Sequence, residues 1–187
     1  SEQWWERFVE AGAPLGAPRD LWRAMNPLSP GLNRVEADEL SYGLHILIRT
    51  ELEIALLEGG LTVSDLPNEW NRRYGELLGV TPENDAEGCL QDVHWSEGLF
   101  GYFPSYLLGH LISAQISEAM IEAIGSPEDH VARGDMAPLL AWLREHVHPL
   151  GRSVNAEQLV EQVTGRPLDA GSFLTYLEDK LAALSTP

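Results

Sequence analysis

Apolar positions along this chain recur at helical rather than alternating spacing. From Val35 to Glu58 the row Leu40, Leu44, Leu47, Ile48, Leu52 and Leu56 traces one face of a long amphipathic helix, and Gly59-Gly60 supplies its stop. The same period predicts helices over Asn68–Leu78, about Pro104–Ile124, and near 127–133, 135–147, 155–164 and 170–184, each opened by a Ser-Pro, Asp, Asn or Asp-Ala-Gly start. Trp4, Trp5, Phe8 and Val9 group on one side of a short N-terminal helix, with Ser1 as its cap. Gly, Pro and Ala at 12–18 then lead to Leu21, Trp22 and Met25 before a break at Pro27–Gly31.

The one candidate for extended structure is the aromatic, glycine-containing run from Val93 to Phe103, where Gly98 and Gly101 would permit a turn or bulge. At most a short hairpin near 90–103 is expected. No internal repeat or Gly/Ser linker interrupts the chain, so the pattern predicts an all-α, single compact multi-helix domain over 1–187, with 1–19 as a divergent N-terminal helix and loop.

Composition narrows the partners. Hydrophobic residues at 44% and charged residues at 22% are those of a folded protein. Twelve Lys and Arg against 29 Asp and Glu give a net charge of −17, which repels phosphate backbones and anionic lipid and argues against nucleic-acid or membrane partners. Cys89 is the only cysteine, so an intrachain disulfide or a thiolate metal cluster cannot form, and a reducing cytoplasm is the expected location.

Chemistry is sparse by motif. A catalytic zinc is commonly held by two His at i and i+4 with a base between them. His45, His94, His110, His130, His146 and His148 contain no such pair, and Glu145-His146-Val147-His148 has the wrong spacing to share a helix face. That cluster suits a solvated C-terminal turn before Pro149. No Gly-x-Ser-x-Gly elbow and no glycine-rich phosphate loop occurs.

Arg34 lies four residues before Asp38 at a helix start. On one helix face the two could form an ion pair that fixes the guanidinium for bidentate capture of a carboxylate, and a plain surface pair fits the spacing as well.

These residues sit within recognisable blocks. Arg34-Val35-Glu36-Ala37-Asp38-Glu39, with Leu44-His45-Ile46 further on, is similar to a signature of the carboxypeptidase Taq family, and Gly88-Cys89-Leu90-Gln91-Asp92-Val93-His94-Trp95 resembles a second. Phe100-Gly101-Tyr102-Phe103-Pro104-Ser105-Tyr106 extends the match, which runs from about residue 20 to the C-terminus. The family consists of mainly helical, commonly dimeric zinc metallocarboxypeptidases of the cytosol, whose groove holds a peptide by its free C-terminal carboxylate.

The resemblance implies a role for each matching position. Arg34 matches the clamp for the substrate carboxylate and Asp38 would orient it; His94 and Tyr106 match donors on the oxyanion side, with Tyr102 as a neighbour in the substrate groove. The family's His-Glu-x-x-His and His-Glu-Ser blocks, which carry the zinc, are absent, so no metal is expected on this chain. Asn33 stands where the family has an aliphatic residue, and the stretch between Trp5-Glu6 and Leu21-Trp22 is abbreviated.

Three functions follow as expectations. The first is a non-catalytic, stand-alone relative of the substrate-binding domain, which binds a peptide C-terminus, a protein partner or a full-length carboxypeptidase and forms a homodimer. The second is a fragment of an active carboxypeptidase. The third is a structural dimerisation module in which Gln91 and Asp92 serve buried hydrogen bonds.

Overall fold

The structure, a computed structural model, describes residue 10 and residues 18–185. The expected helix on Trp4, Trp5, Phe8 and Val9 lies outside the described residues. Residues 18–185 form eight α-helices: α1 (Pro18–Met25), α2 (Glu39–Leu57), α3 (Leu66–Leu77), α4 (Phe103–Ile124), α5 (Pro127–Arg133), α6 (Ala137–His146), α7 (Ala156–Thr164) and α8 (Gly171–Ser185), with one 3₁₀ turn at Arg34–Glu36. No strand occurs among them, and residues 90–102 run as successive turns. The described residues fall into two compact units, one of Leu28–Gly109 and one of those up to Pro27 with those from His110 on.

Local chemistry sets the helix bounds. The expected helix from Val35 begins four residues later, because Ala37 is extended and the Asp38 carboxylate accepts from the amides of Leu40 and Ser41 at 3.0 and 2.9 Å. That N-cap satisfies amides with no partner inside the first turn. Past Leu57 the chain turns out through Gly59, whose φ of 77° falls in the left-handed region that closes helices on glycine. In the second unit, Ser126 caps α5 ahead of Pro127, and Asn155 with Gln158 forms a reciprocal capping box on α7.

The core of Leu28–Gly109 lies where α2 packs on α3. Ile48 and Leu52 of α2 meet Leu66, Trp70 and Tyr74 of α3, with Leu78 and Cys89 beside them. Trp70 stacks on Tyr74 at 4.9 Å between ring centroids. The buried face of α2 departs from the expected row: Leu47 is 43% exposed, while Ile46 is buried. A polar file, Ser41, His45, Arg49 and Glu53, is buried at four-residue intervals along the same helix. In the second unit the core is apolar, with Ile116 and Met120 of α4 against Leu139 and Trp142 of α6.

Candidate functional site: an arginine-bridging carboxylate

The polar file on α2 puts functional groups inside Leu28–Gly109. Arg49 is fully buried; its Nε donates to Asp92 Oδ2 at 2.6 Å, and its Nη1 donates to the His45 carbonyl and to the Tyr74 hydroxyl, each at 2.9 Å. The same Asp92 accepts from Arg34, Nη2 to Oδ1 at 2.7 Å and Nε to Oδ1 at 3.2 Å. One carboxylate therefore bridges two guanidinium groups. Although burial alone would raise the Asp92 carboxyl, the bond from Arg34 and the charge of Arg49 prevail and hold it below the ordinary carboxylate range. The Arg34 guanidinium moves up in turn: burial opposes its charge, and Asp92 more than restores it.

The 3₁₀ turn presents Arg34. Asn33 accepts from the Val35 amide at 2.9 Å to start the turn, and the Arg34 amide donates to the Gln91 side chain at 3.3 Å. Gln91 in turn donates to the carbonyls of Leu32 and Glu87 at 3.0 and 2.8 Å, which ties the Arg34 turn to the segment that carries Asp92. Arg34 Nη1 reaches the Tyr42 hydroxyl at 3.4 Å, and the guanidinium lies over the Tyr106 ring, 4.9 Å from its centroid.

The expected Arg34–Asp38 pair gives way to Arg34–Asp92. Asp38 is occupied as the α2 cap and also accepts from the Ser29 amide at 3.2 Å. The physical reason is the break at Ala37: the two residues do not share a helix, so four-residue spacing no longer brings their side chains together.

His94 and Tyr106 do meet. His94 Nε2 lies 3.0 Å from the Tyr106 hydroxyl, and its buried Nδ1 has no hydrogen-bond partner but faces Asp92 Oδ1 at 3.7 Å. The His94 ring packs on Phe103 at 4.4 Å. Tyr102, 46% exposed, closes the group with its ring 5.7 Å from that of His94 and 5.3 Å from that of Tyr106. Arg34, Asp92, His94 and Tyr106 thus form one cluster with Tyr102 at its outer edge, and Asp38 supports it only through the turn.

Sequence reasoning missed Arg49, Glu53 and Tyr74. Glu53 accepts from the Trp95 indole at 2.8 Å and from the Gly101 amide, and so ties both ends of the turns that separate His94 from Tyr102. Tyr74 bonds with His45 Nδ1 at 3.0 Å. Burial, then the adjacent charge of Arg49, lowers the His45 pKa to about 4, and burial raises that of Tyr74. The available signal was the four-residue interval of Ser41, His45, Arg49 and Glu53 on an otherwise apolar helix.

The sequence profile described as carboxypeptidase Taq (M32) metallopeptidase matches residues 9–181. The chain belongs to this family of M32 carboxypeptidases. It is 47% identical to thermostable carboxypeptidase 1 of Thermus thermophilus over 186 residues, which cover 96% of this chain and 36% of that protein. To carboxypeptidase 1 of Bacillus subtilis it is 44% identical over 165 residues, 88% of this chain and 33% of the relative. The fold superposes on Trypanosoma cruzi metallocarboxypeptidase 1 with a TM-score of 0.89 at 36% identity, covering 96% of this chain and 39% of that one. The chain therefore spans about a third of the length of the curated relatives it matches.

M32 enzymes are zinc metallocarboxypeptidases, and the fit of that ion can be tested on the side chains present. Among the described residues no three or more of His, Cys, Asp and Glu come together to hold a metal. His94 turns one nitrogen to Tyr106 and the other toward an aspartate already bound by two arginines, while His146 bonds the Trp142 carbonyl at 3.0 Å and stacks on its ring. These residues do not fit a zinc site. Nor is any helix among the described residues long and apolar enough to cross a membrane.

Proposed function

We propose that Leu28–Gly109 grips the C-terminal carboxylate of a peptide, the substrate-holding part of an M32 carboxypeptidase. The carrying observation is the stoichiometry of charge: two guanidinium groups share the single carboxylate of Asp92, so the Arg34–Asp92–Arg49 bridge holds one positive charge in excess, with the half-exposed Tyr102 ring at the edge of the cluster. An anion with two coplanar oxygens suits a guanidinium already fixed in orientation, because little freedom is lost on binding.

The neighbouring groups have distinct parts in this reading. Arg34 takes the terminal carboxylate, Tyr102 lines the approach, and the His94–Tyr106 pair faces the scissile carbonyl as a source of hydrogen bonds to developing negative charge. On its own the chain binds a peptide terminus without cleaving it. In a chain that also supplies a metal centre, the same grip presents the terminus for hydrolysis. The likeness over 96% of this chain to a third of a carboxypeptidase favours that extension.

Calorimetry decides it, with acetylated tetra-alanine carrying either a free or an amidated C-terminus. The free acid binds and the amide does not, and Arg34→Ala removes the difference; a charge-assisted hydrogen bond of this kind contributes about 1.5–3 kcal/mol. Equal binding of the two peptides, or a preference that survives Arg34→Ala, contradicts the proposal.

A further inference from the structure

Arg49 is costly where it sits. It is fully buried among Trp70, Tyr74 and Phe103, its guanidinium carbon 4.6 Å from the Trp70 ring centroid and 5.7 Å from that of Phe103, and its Nη2 has no hydrogen-bond partner. A buried cation with an unsatisfied donor is a poor way to stabilise a core, since a well-packed apolar side chain of similar volume serves at least as well. Among the described residues its only ion pair is with Asp92, which also binds Arg34.

Without Arg49, Asp92 would be free to turn its second oxygen toward His94 Nδ1, now 3.7 Å from Oδ1 and lacking a partner. Arg34 would then face an aspartate with no other cation, and the excess positive charge of the cluster would be gone. We infer that Arg49 is a positioning residue: it anchors Asp92 in the orientation that grips Arg34 and leaves Arg34 one uncompensated charge to offer a carboxylate ligand. This deepens the carboxylate-grip reading and rests on it for the ligand, while its geometric half stands separately.

Two readouts distinguish the halves. In the ¹⁵N-labelled protein the Arg34 Nε–H resonance reports the bond to Asp92, and calorimetry with the free-acid and amide forms of acetylated tetra-alanine reports ligand preference. In Arg49→Met the Arg34 signal shifts and broadens, and the free-acid preference falls about tenfold or more. Arg49→Lys keeps the charge on a shorter reach and recovers part of both.

An unmoved Arg34 signal in Arg49→Met overturns the inference whatever happens to binding, because any effect then does not pass through Asp92. Failure of both variants to fold, judged by helical circular dichroism, also counts against it and makes Arg49 a core residue only. If the unaltered chain shows no free-acid preference yet the Arg34 signal moves in Arg49→Met, the proposed function fails and the positioning of Arg34 stands.

Discussion

Between Leu28 and Gly109 the interior holds Arg34, Ser41, His45, Arg49, Glu53 and His94, whereas from His110 onward the buried polar side chains are Gln115 and His130. The second pair is satisfied by backbone groups: Gln115 bridges the Pro167 carbonyl and the Asp169 amide, and His130 meets the Ile124 carbonyl at 3.0 Å. In the first unit, Arg34 and Arg49 are both bonded to Asp92, and four buried side-chain nitrogens, on His45, Arg49, Trp70 and His94, are left without partners. Interiors chosen for stability alone do not look like that. The contrast teaches that the first unit has accepted a stability cost to hold a cluster in one arrangement, while the second is organised as an ordinary helical core.

The contrast breaks most sharply at Asp92. Asp92→Ala leaves Arg34 and Arg49 without a counter-charge and should destabilise the first unit by about 3–5 kcal/mol, read as a shift in the urea midpoint. A loss below about 1 kcal/mol would mean that the bridge is not held as described.

Acid should weaken the same unit next most. His45 is held near 4 in the folded chain against an ordinary 6.5, first by burial and then by Arg49. The unfolded chain therefore takes up a proton at His45 as pH drops below 6.5 while the folded chain does not, so stability is full above 6.5 and declines down to about 4. That gap corresponds to about 3 kcal/mol. His45→Gln should flatten unfolding free energy against pH in this window; an unchanged slope would remove His45 as its source.

Smaller effects separate the units. Ile116→Val in the apolar core should cost about 1 kcal/mol of stability and leave the preference for a free peptide carboxylate untouched. Arg72→Ala, which removes an exposed guanidinium bound to Glu69 and Glu76, should not move the urea midpoint resolvably. A change in carboxylate preference from either one would blur the division drawn here.

Much of the scaffold was legible in the sequence because its determinants are local. Pro127–Arg133 falls where the Ser126-Pro127 start puts it, and α4 begins one residue from its expected start at Pro104. Legibility ended where partners are distant. Arg34 and Asp92 lie 58 residues apart, so spacing favoured Asp38, whose carboxylate is spent on the cap. His94 and Tyr106 entered through family resemblance, and the structure brings them to 3.0 Å of each other. Arg49 lay in a four-residue polar file that an apolar-periodicity reading passes over, since it counts hydrophobic positions and ignores a polar row on the same face.

The most direct test uses the contrast itself. Titrating acetylated tetra-alanine with a free C-terminus into the ¹⁵N-labelled protein should shift the Arg34 Nε–H and the amides of Gln91, His94 and Tyr106, and leave those of Gln115, His130 and Trp142 in place. The amidated peptide should shift none of them. Equal shifts from both peptides, or shifts confined to residues beyond His110, would contradict a carboxylate grip at Arg34.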